Sequence, residues 1–128
     1  MPDMERRYFP AIICSEHDSP IDALLALYVA RDEVMELVAA ACLAGEAAGQ
    51  GVECIVAQAD GGRDVAAVRG AHGRWLACNA YLDSCCATRF DAERALDKRR
   101  KRGRHGCVGV LPAAMADEKK PAREEPVS

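Results

Sequence analysis

Aromatic side chains are scarce in this 128-residue chain: two Phe, three Tyr and one Trp make up 5% of it, although half of the residues are hydrophobic. Burial must therefore come from alanine-rich elements that pack closely rather than from bulky rings. A chain of this length forms one domain at most. Because its core would be small, self-association would add buried area, and we expect a homodimer.

Long apolar runs are also missing. No run approaches the ~20 residues that span a bilayer, and the first residues, "MPDMERR", lead into no apolar signal segment. We expect a cytoplasmic protein with no membrane contact. The seven cysteines are odd in number and fall mostly in apolar stretches, unlike the loop-borne framework of a secreted mini-protein. They are predicted to be reduced thiols.

Signatures of catalysis are absent too. Ser15, Ser19 and Ser84 have no nucleophile-elbow or S-x-x-K context. The glycines of "GQG" and "GG" lack the spacing that cradles a phosphate group. We therefore predict that the protein is not an enzyme and needs no cofactor.

The segment "CNAYLDSCC" is the strongest metal-like cluster, but its spacing is poor for structural zinc. Cys78 and Cys85 are seven residues apart, and Cys86 is adjacent to Cys85, whereas zinc sites favour C-x2-C pairs in turns. No metal site is predicted, although a Cys-based metal or redox module remains an alternative.

The stretch "SPID" predicts the start of a helix, with Ser19 as N-cap, Pro20 in the first turn and Asp22 near the positive end of the helix dipole. Apolar residues then recur at three and four positions, and "GQG" at 49–51 supplies a stop. A helix over 19–48 is predicted. Arg31 lies within its apolar stripe, either with its head reaching solvent or as a contact for an anion or carboxylate.

A second helix is predicted over 64–89, with Trp75 on its apolar face. A stripe of small residues runs down one side and would let two helix backbones approach closely. Its members are Ala66, Gly70, Gly73, Ala77, Ala80 and Ser84. The two helices should pair as a hairpin.

The fold class predicted from these patterns is all-α: a helical hairpin of 19–48 and 64–89 with a short C-terminal helix, in a dimeric bundle. The alternative is α+β, with 8–14, 52–58 and 107–111 forming a small sheet. For the all-α fold, 1–18 is predicted to be an irregular lead-in, 19–111 a single helical domain and 112–128 a disordered tail.

Charge is unevenly distributed along the chain. Residues 1–97 carry eight basic against sixteen acidic side chains, whereas 98–105 carry six basic side chains and no acidic one. Such a run could neutralise phosphates, but no aromatic residue is interleaved with it for base stacking, and the acidic body would repel a polyanion. It could equally dock on an acidic protein or on a second copy.

We therefore predict a non-catalytic interaction protein, such as an adaptor, regulator or protein inhibitor. It would bind a protein partner through its helical surface and the charge-separated C-terminal region. The alternative is a nucleic-acid-binding regulator that uses the basic run 98–104. The candidate partner-binding residues are Arg31, Trp75, Lys98, Arg99, Arg100, Lys101, Arg102 and Arg104.

Overall fold

A computed structural model describes residues 6–49, 51–100 and 104–111 and shows a mixed α/β fold, so the all-α prediction is wrong. Within these residues, a five-stranded antiparallel sheet carries three helices on one face. The strands are β1 (Arg7–His17), β2 (Cys54–Gln58), β3 (Asp64–Arg69), β4 (Trp75–Ala80) and β5 (Gly106–Leu111). The helices are α1 (Pro20–Ala26), α2 (Arg31–Ala48) and α3 (Arg89–Arg99).

The strand order is β2-β3-β4-β1-β5, and every neighbouring pair is antiparallel. The sheet curls until β2 and β5, which stand at opposite ends of this order, come into contact. Cys54 in β2 reaches the backbone of Val110 in β5 across that seam. One face of the sheet is therefore concave and enclosed, and the other is convex and covered by the helices.

The convex face holds the larger part of the core. Helix α1 packs on β3 and β4, α2 packs on β2, and α3 packs on β1 and β5. Side chains from α1, the α1–α2 connection and α2 meet alternate residues of the strands there. The buried residues of this layer include Leu24, Leu27, Val29, Val34, Ile55, Ala57, Val65, Ala67, Trp75 and Ala77.

The concave interior is narrow, which explains the shortage of large side chains. Phe9 is fully buried in it, and Gly109 lies so close that a Cβ there would overlap the Phe9 ring. Alanine, cysteine, valine and leucine side chains fill the rest of the space, since a tightly curled sheet leaves no room for a second ring beside Phe9. The other buried members are Ala11, Val56, Ala66, Val68, Cys78, Ala80, Leu82 and Leu111.

The predicted helix 64–89 is instead the β3–β4 hairpin followed by a short 3-10 turn. Both faces of β3 and β4 are buried, one under α1 and the other inside the curl. The polar-apolar alternation that marks a half-exposed strand is therefore missing. The small-residue stripe belongs to two strands rather than to one helix side, and Gly73 takes a left-handed φ of 77° in the hairpin connection.

The predicted helix 19–48 starts correctly but is broken. Ser19 accepts a hydrogen bond from the Asp22 N–H, and Pro20 is the first helical residue, which confirms the predicted start. Helix α1 ends after Ala26, because Tyr28 adopts a left-handed φ of 68°. The chain then turns into α2 at Arg31. Within the residues that the structure describes, 19–48 and 64–89 do not pair as a helical hairpin, so the predicted dimeric bundle of helical hairpins loses its basis.

The segments 8–14, 52–58 and 107–111 of the α+β alternative overlap β1, β2 and β5 in that order. The sheet also contains β3 and β4, which were predicted to be part of a helix. The predicted irregular lead-in 1–18 contains β1. Pro10 lies in β1 just beyond the last residue that pairs with β4. Its carbonyl oxygen accepts a hydrogen bond from the Tyr81 N–H, and no residue of β4 is opposite it to require the N–H that proline lacks. The predicted tail 112–128 lies outside the described residues.

Candidate interaction surfaces

Helix α2 exposes a second apolar stripe that faces away from the core. Its inner side is anchored by Val34, which is fully buried. On its outer side, Met35 and Leu43 stand two turns apart and are 51% and 67% exposed. Ala39 and Cys42 are also exposed and lie between them on the same side of the helix. We call these four residues the α2 stripe.

Acidic side chains surround the α2 stripe. Asp32 and Glu36 lie beside it near the start of the helix, and Glu46 lies beside it near the end. All three are exposed. The terminal turns of α2 contain a single basic residue, Arg31, at the first position of the helix. The stripe is therefore an apolar surface with a negative rim.

The structure changes the surroundings expected for two predicted partner-binding residues, Arg31 and Trp75. Arg31 is exposed at the first position of α2, not at the centre of a long apolar stripe. It lies one turn before Met35 and therefore borders the α2 stripe. Trp75 is only 8% exposed and packs between the sheet and the helices, so its ring is core rather than surface.

The basic run does not form one uniform surface. Arg99 points inward: its guanidinium lies 4.5 Å from the centre of the Tyr81 ring, donates to Ser84 Oγ at 2.8 Å and lies 3.5 Å from the Asp83 carboxylate. Arg100 is 3.8 Å from the carboxylate of Asp97. The contacts of Arg99 fasten the end of α3 to the segment that follows β4, whereas the contact of Arg100 is local to the end of the helix.

Two further cations of the run lie in the part of the chain that the structure describes, and both face solvent. Lys98 is exposed on α3, and Arg104 is exposed just before β5. Lys101 and Arg102 lie outside the described residues. The structure therefore brings together only part of the predicted cationic site.

Aromatic rings stand beside three arginines of α3, which the sequence reading missed. Arg89 lies 5.2 Å from the Tyr8 ring, and Arg94 lies 5.9 Å from the Phe90 ring. Phe90 is 66% exposed. The spacing of Phe90 and Arg94, one helical turn apart, could have indicated their contact, but the ring comes before the basic run rather than within it.

The cysteine-rich interior is a packed cluster. The sulfur atoms of Cys78 and Cys107 are 3.8 Å apart across β1. The hydrogen bond between the two thiols lowers the pKa of Cys107, and the same bond together with burial raises the pKa of Cys78. Burial raises the pKa of Cys54 to about 12. Among the described residues, no three His, Cys, Asp or Glu side chains come together as ligands for a metal ion.

A shallow cleft of about 220 Å³ lies at the end of β4. Arg63 crosses it and donates to Asn79 Oδ1 at 2.8 Å and, at 3.4 Å, to the carbonyl oxygen of Leu27. Asp64 and Asp83 stand at its margin. The arginine is thus held between protein acceptors, and its contacts link α1 to the sheet.

Comparison with known proteins finds no matching family model, no matching curated protein and no matching solved structure. Within the described ranges, no helix is both long enough and apolar enough to cross a membrane. The features that point to a function are therefore the exposed apolar and charged side chains of α2 and α3.

Proposed function

We propose that this chain is a non-catalytic interaction protein that binds a partner protein through the α2 stripe. The exposure of Met35 and Leu43 on a helix whose opposite side is fixed in the core carries this proposal. Burying a side chain of this kind is worth about 1.5–3 kcal/mol. A partner that covers both residues therefore gains substantial free energy without rearranging the fold.

The rim of the stripe specifies the chemistry of the partner. Residues at i, i+4 and i+8 that line one side of a helix are the contact pattern of a helix seated in an apolar groove. Asp32, Glu36 and Glu46 border this side. The complementary surface is an apolar groove flanked by Lys or Arg side chains.

A second copy of the chain fits the stripe poorly. A two-fold contact would place α2 against α2, so that the carboxylates of Asp32, Glu36 and Glu46 of one copy would face the same set of carboxylates of the other copy. Like charges brought together across an interface oppose association. The homodimer expected from the composition is therefore not the occupant that we propose for this surface.

The chemistry of the stripe can be tested with a synthetic amphipathic peptide of leucine and lysine, mapped by amide chemical shifts of the isotope-labelled chain. We expect shifts concentrated in α2 and binding weakened at least tenfold by Met35→Ser with Leu43→Ser. The matched control, Ala40→Ser with Ala44→Ser on the other exposed side of α2, should bind like the original. A peptide with glutamate in place of lysine should not bind.

Three results would overturn the proposal: no binding of the lysine peptide, shifts located away from α2, or equal binding by the two double variants. Both variants change exposed positions, so their circular dichroism and melting temperatures should match the original chain.

A further inference from the structure

The exposed face of α3 carries an aromatic ring and two cations in one line. Phe90, Arg94 and Lys98 follow each other at four-residue spacing, so they occupy one side of the helix over about 12 Å. All three are exposed. Arg94 lies over the Phe90 ring at 5.9 Å, which keeps the ring and the first cation together. We call these three residues the α3 stripe.

The other cations near α3 differ in how far they contact other groups of the protein. Arg99 is committed to Tyr81, Asp83 and Ser84, which makes it a structural residue. Arg104, just before β5, is exposed and adds a further positive charge close to the sheet edge that α3 covers. The solvent-accessible positive charge near α3 therefore comes mainly from Arg94, Lys98 and Arg104, whereas Arg99 points inward.

From these contacts we infer that the α3 stripe, together with Arg104, binds single-stranded nucleic acid without sequence preference. An exposed ring offers a stacking platform to any unpaired base, and the neighbouring cations pair with the phosphates on either side of that base. A duplex keeps its bases stacked internally and could use only the cations. Polyglutamate, which has no rings and no apolar side chains to place against Phe90, could likewise use only the cations.

The acidic residues of α3 limit the affinity but leave the stripe accessible. Glu93 and Asp97 lie on one side of the stripe, and Asp91 lies on the other. The charge of Asp97 is offset by Arg100 at 3.8 Å. With three cations in contact, the logarithm of affinity should fall against the logarithm of salt concentration with a slope of about −2, the value for some three phosphate contacts on a single strand.

This inference is independent of the α2 stripe and is tested by fluorescence anisotropy with a labelled oligothymidine of about 16 nucleotides. Three competitors separate the contributions: a duplex of the same length, an abasic strand with the same phosphates, and polyglutamate. We expect the oligothymidine to bind most tightly, since it alone offers both unpaired bases and phosphates.

Substitutions within the α3 stripe test whether the nucleic acid binds there. Phe90→Leu should weaken oligothymidine binding at least about fivefold and leave the weaker abasic-strand binding unchanged. Arg94→Ala with Lys98→Ala should weaken both and flatten the salt dependence. Arg69→Ala, which removes an exposed positive charge on β3, is the control and should bind like the original chain.

The inference is overturned if oligothymidine does not bind at about 50 mM salt, or if the duplex, the abasic strand or polyglutamate binds as tightly. It is also overturned if Phe90→Leu binds like the original chain, or if Arg69→Ala weakens binding as much as the stripe variants. Each substituted side chain is exposed, and circular dichroism verifies that the variants are folded.

Discussion

Individual residues in this protein are constrained most strongly where the sheet curls. Gly109 faces Phe9 inside the curl, and a Cβ at position 109 has no space. Gly51, in contrast, would place its Cβ 3.6 Å from the end of a flexible side chain, that of Arg69. Two glycines of the same chain therefore have very different tolerance for alanine.

Gly109→Ala should lower the free energy of unfolding by about 2 kcal/mol or more, because the Phe9 ring must move in an interior that has little spare volume. Gly51→Ala should change it by less than about 0.5 kcal/mol. Urea denaturation of both variants measures the difference. An equal effect at the two positions would contradict the placement of Gly109 against the ring.

The buried thiol of Cys54 predicts a dependence of stability on alkaline pH. Its pKa rises from 9.0 to about 12 on folding, so above pH 9 the unfolded chain loses this proton while the folded chain keeps it. The group therefore opposes folding increasingly as the pH rises from about 9 towards 12, by up to about 1.4 kcal/mol per pH unit.

Cys54→Ala should flatten this alkaline decline, measured by urea denaturation at several pH values. The comparison concerns the slope with pH and not the absolute stability, because the substitution also removes packing. Cys14→Ala, at an exposed position of β1, is the control and should leave the slope unchanged. If the free energy of unfolding declines with pH equally in the original chain, Cys54→Ala and Cys14→Ala, the burial of the Cys54 thiol is contradicted.

At the scale of elements, Arg99 joins α3 to the segment after β4. The planar guanidinium stacks on Tyr81 and donates to Ser84 at the same time, whereas the compact ammonium of lysine lacks the flat face and the several fixed donors that this combination uses. Arg99→Lys should lower the free energy of unfolding by about 1–2 kcal/mol. Arg94→Lys, on the exposed face of the same helix, should change it by less than about 0.5 kcal/mol. Urea denaturation distinguishes the two, and equal effects would contradict an inward role for Arg99.

The elements differ in how well the sequence predicts them. The start of α1 is predictable, because Ser19, Pro20 and Asp22 are local signals. The end of α1 is not, since Tyr28 occupies a left-handed position that usually belongs to glycine or asparagine. Strands β3 and β4 are misread as a helix because both of their faces are buried, which removes the alternation that a half-exposed strand shows.

The candidate surfaces were predictable only in part. The basic run is visible in the sequence, but the inward direction of Arg99 depends on Tyr81 and Ser84, which the fold brings to α3. The α2 stripe depends on knowing which side of α2 faces the sheet. The apolar spacing within 19–48 does not show which of its residues face solvent, so it cannot reveal that the Met35 side chain is half exposed.

At the scale of the whole molecule, the same sheet face supports two helices of different character. Helix α2 presents an apolar stripe with an acidic rim and packs on β2, whereas α3 presents an aromatic and cationic stripe and packs on β1 and β5. The two helices pack on different strands, and those strands meet only where β2 and β5 come into contact at the seam of the curl. The two proposed binding surfaces therefore share a scaffold but no residues.

This separation predicts that the two surfaces act independently. Met35→Ser with Leu43→Ser should leave oligothymidine affinity within about twofold of the original, and Arg94→Ala with Lys98→Ala should do the same for the leucine-lysine peptide, because distant sites are usually additive. Anisotropy titrations of both double variants with both probes measure this. A large loss for both probes in either variant would contradict two separate surfaces.

The most direct measurement of the proposed function is site-specific photo-crosslinking in the cells that make the protein. A photoreactive residue would replace Ala39 within the α2 stripe or, as the control, Ala44 on the other exposed side of α2. We predict a discrete adduct with a different protein from position 39, absent from position 44 and lost when Met35 and Leu43 are serine. Equal adducts from both positions, no adduct from position 39, or an adduct of two copies of this chain would contradict the proposal.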